Sequence, residues 1–319
     1  MTIKVGRRRV ALAMLFGVCL AGSAIAQDKK LSVVFANFND EHPFGAAVLK
    51  GFHAATDNDK ALNVKIFDNR NDPQRAIENA RIAASLKPDV FIQYNAQAAS
   101  NQQVARIMKE AGVPVIAVQV SVPGAPLYAV DNALSGAESG RALVETAKSR
   151  WPGVTPRIVI INVPEAGPLF IERGNAAKEV LANAYPAAKI EEFSSRNDGA
   201  VTRQVVTDVL IRYPNEKIVV WIHVDPMALA ALAGVRTAKR TEDVLIATTG
   251  GDTSVFPEIR SGKSPLIGTF SFFPEDWGKE IISMAKRMAA GEKLPDRVSP
   301  GRQLFITSKN IGNFYPEKP

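Results

Sequence analysis

The side chains of this chain best suited to chemistry are planar polar and aromatic groups that follow short β-branched runs. Asn37, Phe38, His42 and Phe44 stand at the end of the run beginning at Leu31; Asn95 and Gln119 follow Val90 to Gln93 and Val113 to Val118. Phe193, His223, Asp225 and Asp252 hold comparable places in the second half, with Phe272 further on. Amides and carboxylates hydrogen-bond hydroxyls while rings cover C–H faces, so this set suits a neutral, polyhydroxylated small molecule. Several of these residues have a plainer reading too. Asp225 precedes Pro226 and is equally placed to cap a helix. Phe44, Phe193 and Phe272 are equally placed to be core, and His42 and His223 to be ordinary polar residues.

Other chemistries are poorly served. Three histidines and one cysteine leave little for a metal cluster, so no metal is expected. Ser261-Gly262-Lys263-Ser264 ends like a phosphate-binding loop, but Pro257 stands where the earlier glycine belongs. Gly136-Ala137-Glu138-Ser139-Gly140 carries Glu138 at the serine position of a nucleophile elbow. No dinucleotide fingerprint is found, no cofactor is expected, and the chain reads as a binder and not an enzyme.

The elements that must position these groups alternate strictly. Leu31–Phe38, Asn63–Phe67, Val90–Gln93 and Val113–Val118 read as strands. Helices are expected over Pro43–Asp57, Pro73–Leu86 (capped by Asp72) and Gln97–Glu110. The pattern restarts with strands at Arg157–Val163, Lys189–Phe193, Lys217–Ile222 and Val244–Thr248, and helices near 168–183, 199–212 and 226–239. Such alternation predicts an α/β protein with parallel sheets covered by helices on both faces. The Pro- and Gly-rich stretch from Pro123 to Asn132 divides it into two doubly wound lobes. In such sheets a ligand sits beyond the carboxyl ends of the strands, where the polar and aromatic residues above are found.

The first 26 residues read as a secretory signal. Lys4 and Arg7-Arg8-Arg9 are followed by an uncharged run from Val10 to Ile25, and Ala24-Ile25-Ala26 gives a cleavage site before Gln27. About 16 apolar residues fall short of the roughly 20 that span a bilayer. Val18 before Cys19 makes a poor lipoprotein signal, and the adjacent arginines leave a twin-arginine route open. Removing the four basic residues of this segment from the 39 in the chain leaves 35 against 32 acidic, a balance of +3. The basic residues are interspersed with acids, so no nucleic-acid partner is expected. The only cysteine, Cys19, leaves with the signal, and about 290 residues bury enough surface without disulfides.

With these features in view, nearly the whole mature chain resembles the periplasmic sugar-binding proteins of the ribose-binding type. Asn37 to Phe44 is similar to that family's first strand-loop, with its Pro-Phe pair, and Phe67 to Pro73 to its second turn. Gly112-Val113-Pro114-Val115-Ile116 resembles the "IPVI" strand, Val130-Asp131-Asn132 a hinge crossover, Glu172-Arg173-Gly174 the "RG" helix, and Asp225 with Met227-Ala228-Leu229 the "D-x-M-A-L" helix start. The resemblance implies a type I periplasmic binding protein: two parallel-sheet lobes joined by a multi-strand hinge. Lobe boundaries at 27–130 with about 273–301, and 131–272 with about 302–319, go with it. It implies a monomer that closes on a sugar or similar polar solute and delivers it to an ABC permease in the inner membrane. It also implies that Arg173 reaches ligand hydroxyls.

The departures bear on specificity. Gln119-Val120 replaces an Asp-Arg pair, Val224 replaces an asparagine, and Gly250-Gly251 stands where an aspartate accepts sugar hydroxyls, with Asp252 slightly later. A site short of charged acceptors, and a ligand other than ribose or glucose, are therefore expected. A periplasmic sensor partner for a membrane receptor remains an alternative. A secreted hydrolase lacks a nucleophile–base set, and a repressor core lacks a DNA-binding domain.

Overall fold

A computed structural model describes residues 1–2, 30–95 and 98–317. The expected signal segment, its cleavage site after Ala26, and Gln97 lie outside the described residues. The first half contains strands β1 (Leu31–Asn37), β2 (Leu62–Asp68), β3 (Val90–Tyr94), β4 (Val115–Val118) and β5 (Leu127–Tyr128). Between the first four run helices α1 (Pro43–Thr56), α2 (Pro73–Leu86) and α3 (Asn101–Ala111). Helix α4 (Asn132–Arg150) leads into β6 (Arg157–Asn162), α5 (Pro168–Ala184), β7 (Ile190–Ser194) and α6 (Gly199–Arg212). Next come β8 (Ile218–Ile222), α7 (Asp225–Thr237), β9 (Val244–Gly250), α8 (Phe256–Ser261) and β10 (Leu266–Ser271). The chain ends with α9 (Trp277–Ala289), β11 (Arg297–Val298), β12 (Leu304–Thr307) and α10 (Ile311–Phe314).

These strands form two six-stranded sheets, ordered β11-β5-β4-β3-β1-β2 and β12-β10-β9-β8-β6-β7. All pairings are parallel except that of β10 with β12, which is antiparallel. Because β11 belongs to the first sheet and β12 to the second, the chain passes between the sheets after β5, after β10 and after β11. Arg297 donates to the Val130 carbonyl at 2.7 Å and Asp131 N–H donates to Gln303 Oε1 at 3.0 Å, which ties two of these crossings together.

Local rules account for most of the elements. Asp72 accepts from the backbone N–H groups of Gln74 and Arg75, with Pro73 in the first turn, so α2 begins where a capping residue and a proline dictate. Strands β3 and β8 are buried along their whole length, as fully covered parallel strands must be. Each sheet carries an apolar cluster on both faces; Phe35 stacks on Phe52 at 4.4 Å in the first lobe, and Trp221 is fully buried in the second.

Strands β5, β10, β11 and β12 and helices α8, α9 and α10 have no expected counterpart, and two further elements differ from expectation for identifiable reasons. Helix α3 starts at Asn101, later than expected, because residues 98–100 turn and Ser100 Oγ accepts from Asn95 Nδ2 at 2.6 Å. Helix α4 has no expected counterpart. Its buried face begins with Asn132, Ser135, Gly136, Ser139 and Gly140, which carry no apolar period, and only its second half adds Leu143 and Ala147. A Cβ on Gly136 would lie 2.0 Å from the Arg173 carbonyl oxygen, so small residues are what allow α4 and α5 to pack.

Candidate functional site

The carboxyl ends of the parallel strands in both sheets meet at a cleft of about 680 Å³. The end of β1 supplies Phe38, His42 and Phe44, the end of β3 supplies Tyr94, and the end of β4 supplies Gln119. From the second sheet come His223 and Asp225 after β8, Thr249, Gly250 and Asp252 at β9, and Phe272 after β10. Phe170 and Arg173 enter from α5, Asn132 from the first turn of α4, and Trp277 from the start of α9.

Arg173 organises the second-lobe wall. Only 5 % exposed, it donates from Nε and Nη2 to Asn132 Oδ1 at 3.0 and 2.6 Å. Its Nη1 donates to the His223 carbonyl at 3.0 Å and to Thr249 Oγ1 at 2.8 Å. The guanidinium carbon lies 5.3 Å from the Phe170 ring centre and 5.0 Å from that of Phe272. Burial lowers its pKa to about 10, which leaves it a cation at neutral pH.

His223 is neutral. Burial, and then the Arg173 charge, push its pKa down to about 3, and both ring nitrogens lack a partner. Asp225 is pushed up to about 7, chiefly by burial. Its Oδ2 accepts the Asp252 backbone N–H at 2.7 Å and its Oδ1 accepts the Thr269 hydroxyl at 2.7 Å. Asp252 Oδ1 accepts from Ser254 N–H at 2.9 Å, while its Oδ2 is buried without a partner. Gln119 Nε2 and Asn132 Nδ2 are also buried and unpartnered. Buried polar groups are normally satisfied, and these groups are exceptions gathered along one cleft.

Across the cleft His42 Nδ1 accepts the Phe44 N–H at 3.2 Å and so caps α1. That bond places the neutral imidazole's proton on Nε2, and burial lowers its pKa. Phe38 packs on Tyr94 at 4.8 Å and Phe44 on Trp277 at 5.2 Å, making an aromatic wall.

The family model for the periplasmic binding protein domain matches residues 33–293. The chain belongs to the periplasmic binding protein family. Its fold is shared by an ABC transporter solute-binding protein from Mycobacterium smegmatis with bound glycerol, at TM-score 0.79 and 20% identity over 91% of this chain and 98% of that one. A periplasmic solute-binding protein from Actinobacillus succinogenes with bound D-allose gives TM-score 0.78 and 17% identity over 89% of this chain and 100% of that one. An ABC sugar transporter subunit from Rhodobacter sphaeroides gives 0.75 and 20% over 88% and 98%. No curated protein matches the chain.

In this periplasmic binding protein, nine residues singled out from the sequence line the cleft: Phe38, His42, Phe44, Gln119, Arg173, His223, Asp225, Asp252 and Phe272. Three do not. Asn37 Nδ2 donates to Asp40 at 2.7 Å and to the Gly45 carbonyl at 3.2 Å, so it shapes the loop beneath the site. Asn95 donates to Ser100 and fixes the turn before α3. Phe193 packs against the apolar cluster of the second lobe. Each sits at a strand end, but the pleat or the turn directs its side chain inward.

One expectation needs correction. Asp225 does not cap its own helix: α7 includes it, Val224 is the capping position, and no side-chain cap is made there. The carboxyl turns instead to the loop after β9. Replacement of the aspartate by Gly250-Gly251 does not empty the site of carboxylates, because Asp252 Oδ2 occupies the lining. Arg173 spends most of its donors on the protein, so it orients Asn132 as much as it offers itself to a ligand.

Tyr94, Asn132, Phe170, Thr249 and Trp277 were missed. Tyr94 and Thr249 end strands and could have been found by that rule. Trp277 reaches the first-lobe wall only because the chain crosses back after β10. Among the described residues no group of three or more His, Cys, Asp or Glu is placed to hold a metal ion, and no helix is long and apolar enough to cross a membrane.

Proposed function

We propose that this protein captures a neutral sugar, polyol or similar small polar solute between its two lobes and hands it to the permease of an ABC importer. The observation that carries this is the set of unpartnered buried groups, Gln119 Nε2, Asn132 Nδ2 and Asp252 Oδ2, in one aromatic-walled cleft between two sheets. The solute's hydroxyls would replace the missing partners, at about 0.5–1.5 kcal/mol for each neutral bond and 1.5–3 for a bond to Asp252. Neutral His223 supplies one donor and one acceptor. Glycerol and D-allose in proteins of the same fold support the class of ligand.

The lobes divide as 27–130 with about 273–301, and 131–272 with about 302–319. Support comes from α9 and β11 joining the first lobe while β12 pairs with β10. Three interlobe crossings form a hinge about which a monomer closes, and the permease recognises the closed form. Family membership supports a periplasmic location, and the signal in the first 26 residues supports a mature chain that starts at Gln27. No bond is made or broken in the cleft.

A thermal-shift screen with pentoses, hexoses and polyols, followed by calorimetry, tests this reading. One such solute should raise Tm and bind with a defined stoichiometry, and small-angle scattering should show a smaller radius of gyration when it is saturating. No stabilisation by any member of the series would refute capture. Because Gln119-Val120 lacks the Asp-Arg pair, D-ribose should bind more weakly than the best solute. Submicromolar D-ribose binding would overturn that specificity argument alone.

A further inference from the structure

One turn occurs twice in this chain, once in each lobe. Phe67-Asp68-Asn69-Arg70-Asn71-Asp72 and Phe193-Ser194-Ser195-Arg196-Asn197-Asp198 share the pattern Phe-x-x-Arg-Asn-Asp. Asn69 N–H donates to the Asn37 carbonyl and Ser195 N–H to the Asn162 carbonyl, both at 2.8 Å. Arg70 N–H is held by Asp68 Oδ1 and Arg196 N–H by Ser194 Oγ. Asp72 caps α2 and Asp198 caps α6, each through two backbone N–H groups. Arg70 and Asn71 have φ of 51° and 53°, Arg196 and Asn197 of 51° and 54°.

Asn71 and Asn197 both line the cleft, one from each lobe, and both are exposed, at its rim. Glycine would relieve the left-handed backbone at both places. Asparagine tolerates that conformation and adds a side-chain amide, held on a turn that a helix cap makes rigid.

We propose that Asn71 and Asn197 are the matched lips of the cleft, which approach each other as the lobes close and hold the outermost polar group of the solute between their amides. This rests on the capture reading above and adds the two residues that complete the closed site. An amide offers both a donor and an acceptor, so the pair accepts a hydroxyl in either orientation.

Oxidative trapping tests the approach without any solute. In a Cys19→Ser background the double variant Asn71→Cys/Asn197→Cys holds the only two cysteines. The control pair is Lys87→Cys/Asn197→Cys, since Lys87 ends α2 about 20 Å from Asn71. Disulfide formation, followed by non-reducing gels and peptide mass spectrometry, should be at least about tenfold faster in the lip pair than in the control. Equal rates would overturn the proposal, because a disulfide needs Cβ atoms within about 4.5 Å. Failure of every sugar and polyol to bind would refute capture, yet the trapping result would still decide whether the lips meet. Where a solute does bind, Asn71→Gly and Asn197→Gly should each weaken it several-fold while leaving the unliganded Tm unchanged or higher; unchanged affinity in both would overturn the contact.

Discussion

Gly250 and Asp225 occupy adjoining space so tightly that position 250 has no room for a side chain. A Cβ on Gly250 would lie 2.6 Å from Asp225 Oδ2, and the glycine itself has φ 141°. The bare backbone lets the buried carboxyl receive the Asp252 N–H, and this places Asp252 Oδ2 in the cleft. The glycine pair is thus tied to the aspartate that follows it.

Gly250→Ala should therefore destabilise the protein by about 2 kcal/mol or more, from backbone strain and overpacking together. Urea unfolding monitored by circular dichroism measures it. A change below about 0.5 kcal/mol would show that the loop repacks freely.

Arg173→Met should cost about 3 kcal/mol, because Asn132 Oδ1, the His223 carbonyl and Thr249 Oγ1 all lose a donor in a buried setting. Solute affinity should fall at least about tenfold as the Asn132 amide loses its fixed orientation. Calorimetry at a temperature where the variant remains folded separates the two effects.

The pH dependence of stability should contain two opposing parts. Asp225 has its folded pKa raised from 3.8 to about 7, so its contribution is fully present below about pH 3.8 and is lost as the pH rises through 7. His223 has its folded pKa lowered from 6.5 to about 3, so its contribution is present above 6.5 and is lost as the pH falls toward 3. Between pH 4 and 6 the two nearly cancel. Wild-type Tm should fall from pH 6 to 8, and Asp225→Asn should flatten that fall. His223→Gln should gain stability relative to wild type as the pH drops below 6. Melting curves of the three proteins from pH 4 to 8 provide the check, and parallel curves would count against both shifts.

His42 serves the α1 cap with one nitrogen and faces the cleft. Ala at this position should cost about 1 kcal/mol of stability through the lost cap. Asn should keep the cap and the stability while still weakening solute binding, because it does not reach as far. Equal affinity of His42→Asn and wild type would mean that His42 is a cap and nothing more.

Much of this fold was legible from local signals. Asp72 with Pro73, and the buried runs of β3 and β8, set their own elements through capping and continuous burial; strand ends pointed to seven of the nine cleft residues, and the family resemblance to Arg173. The twin turns ending in Asp72 and Asp198 were equally legible, but as a pattern between lobes they fall outside any short-period search. Helix α4 was not legible, since Ser135, Gly136, Ser139 and Gly140 have no apolar period and make sense only against α5. Nor were the partners of Asn37 and Phe193, whose strand-end positions match those of true lining residues. The sequence by itself determined the alternation, the two lobes and the family, because capping, period and turn chemistry act between near neighbours. Tertiary structure alone decided that Arg173 serves Asn132 and that Trp277 returns to the first lobe. It also decided that Gly250 makes room for Asp225. Those relations join residues far apart in the chain, and only the packing of one element against another brings them within reach.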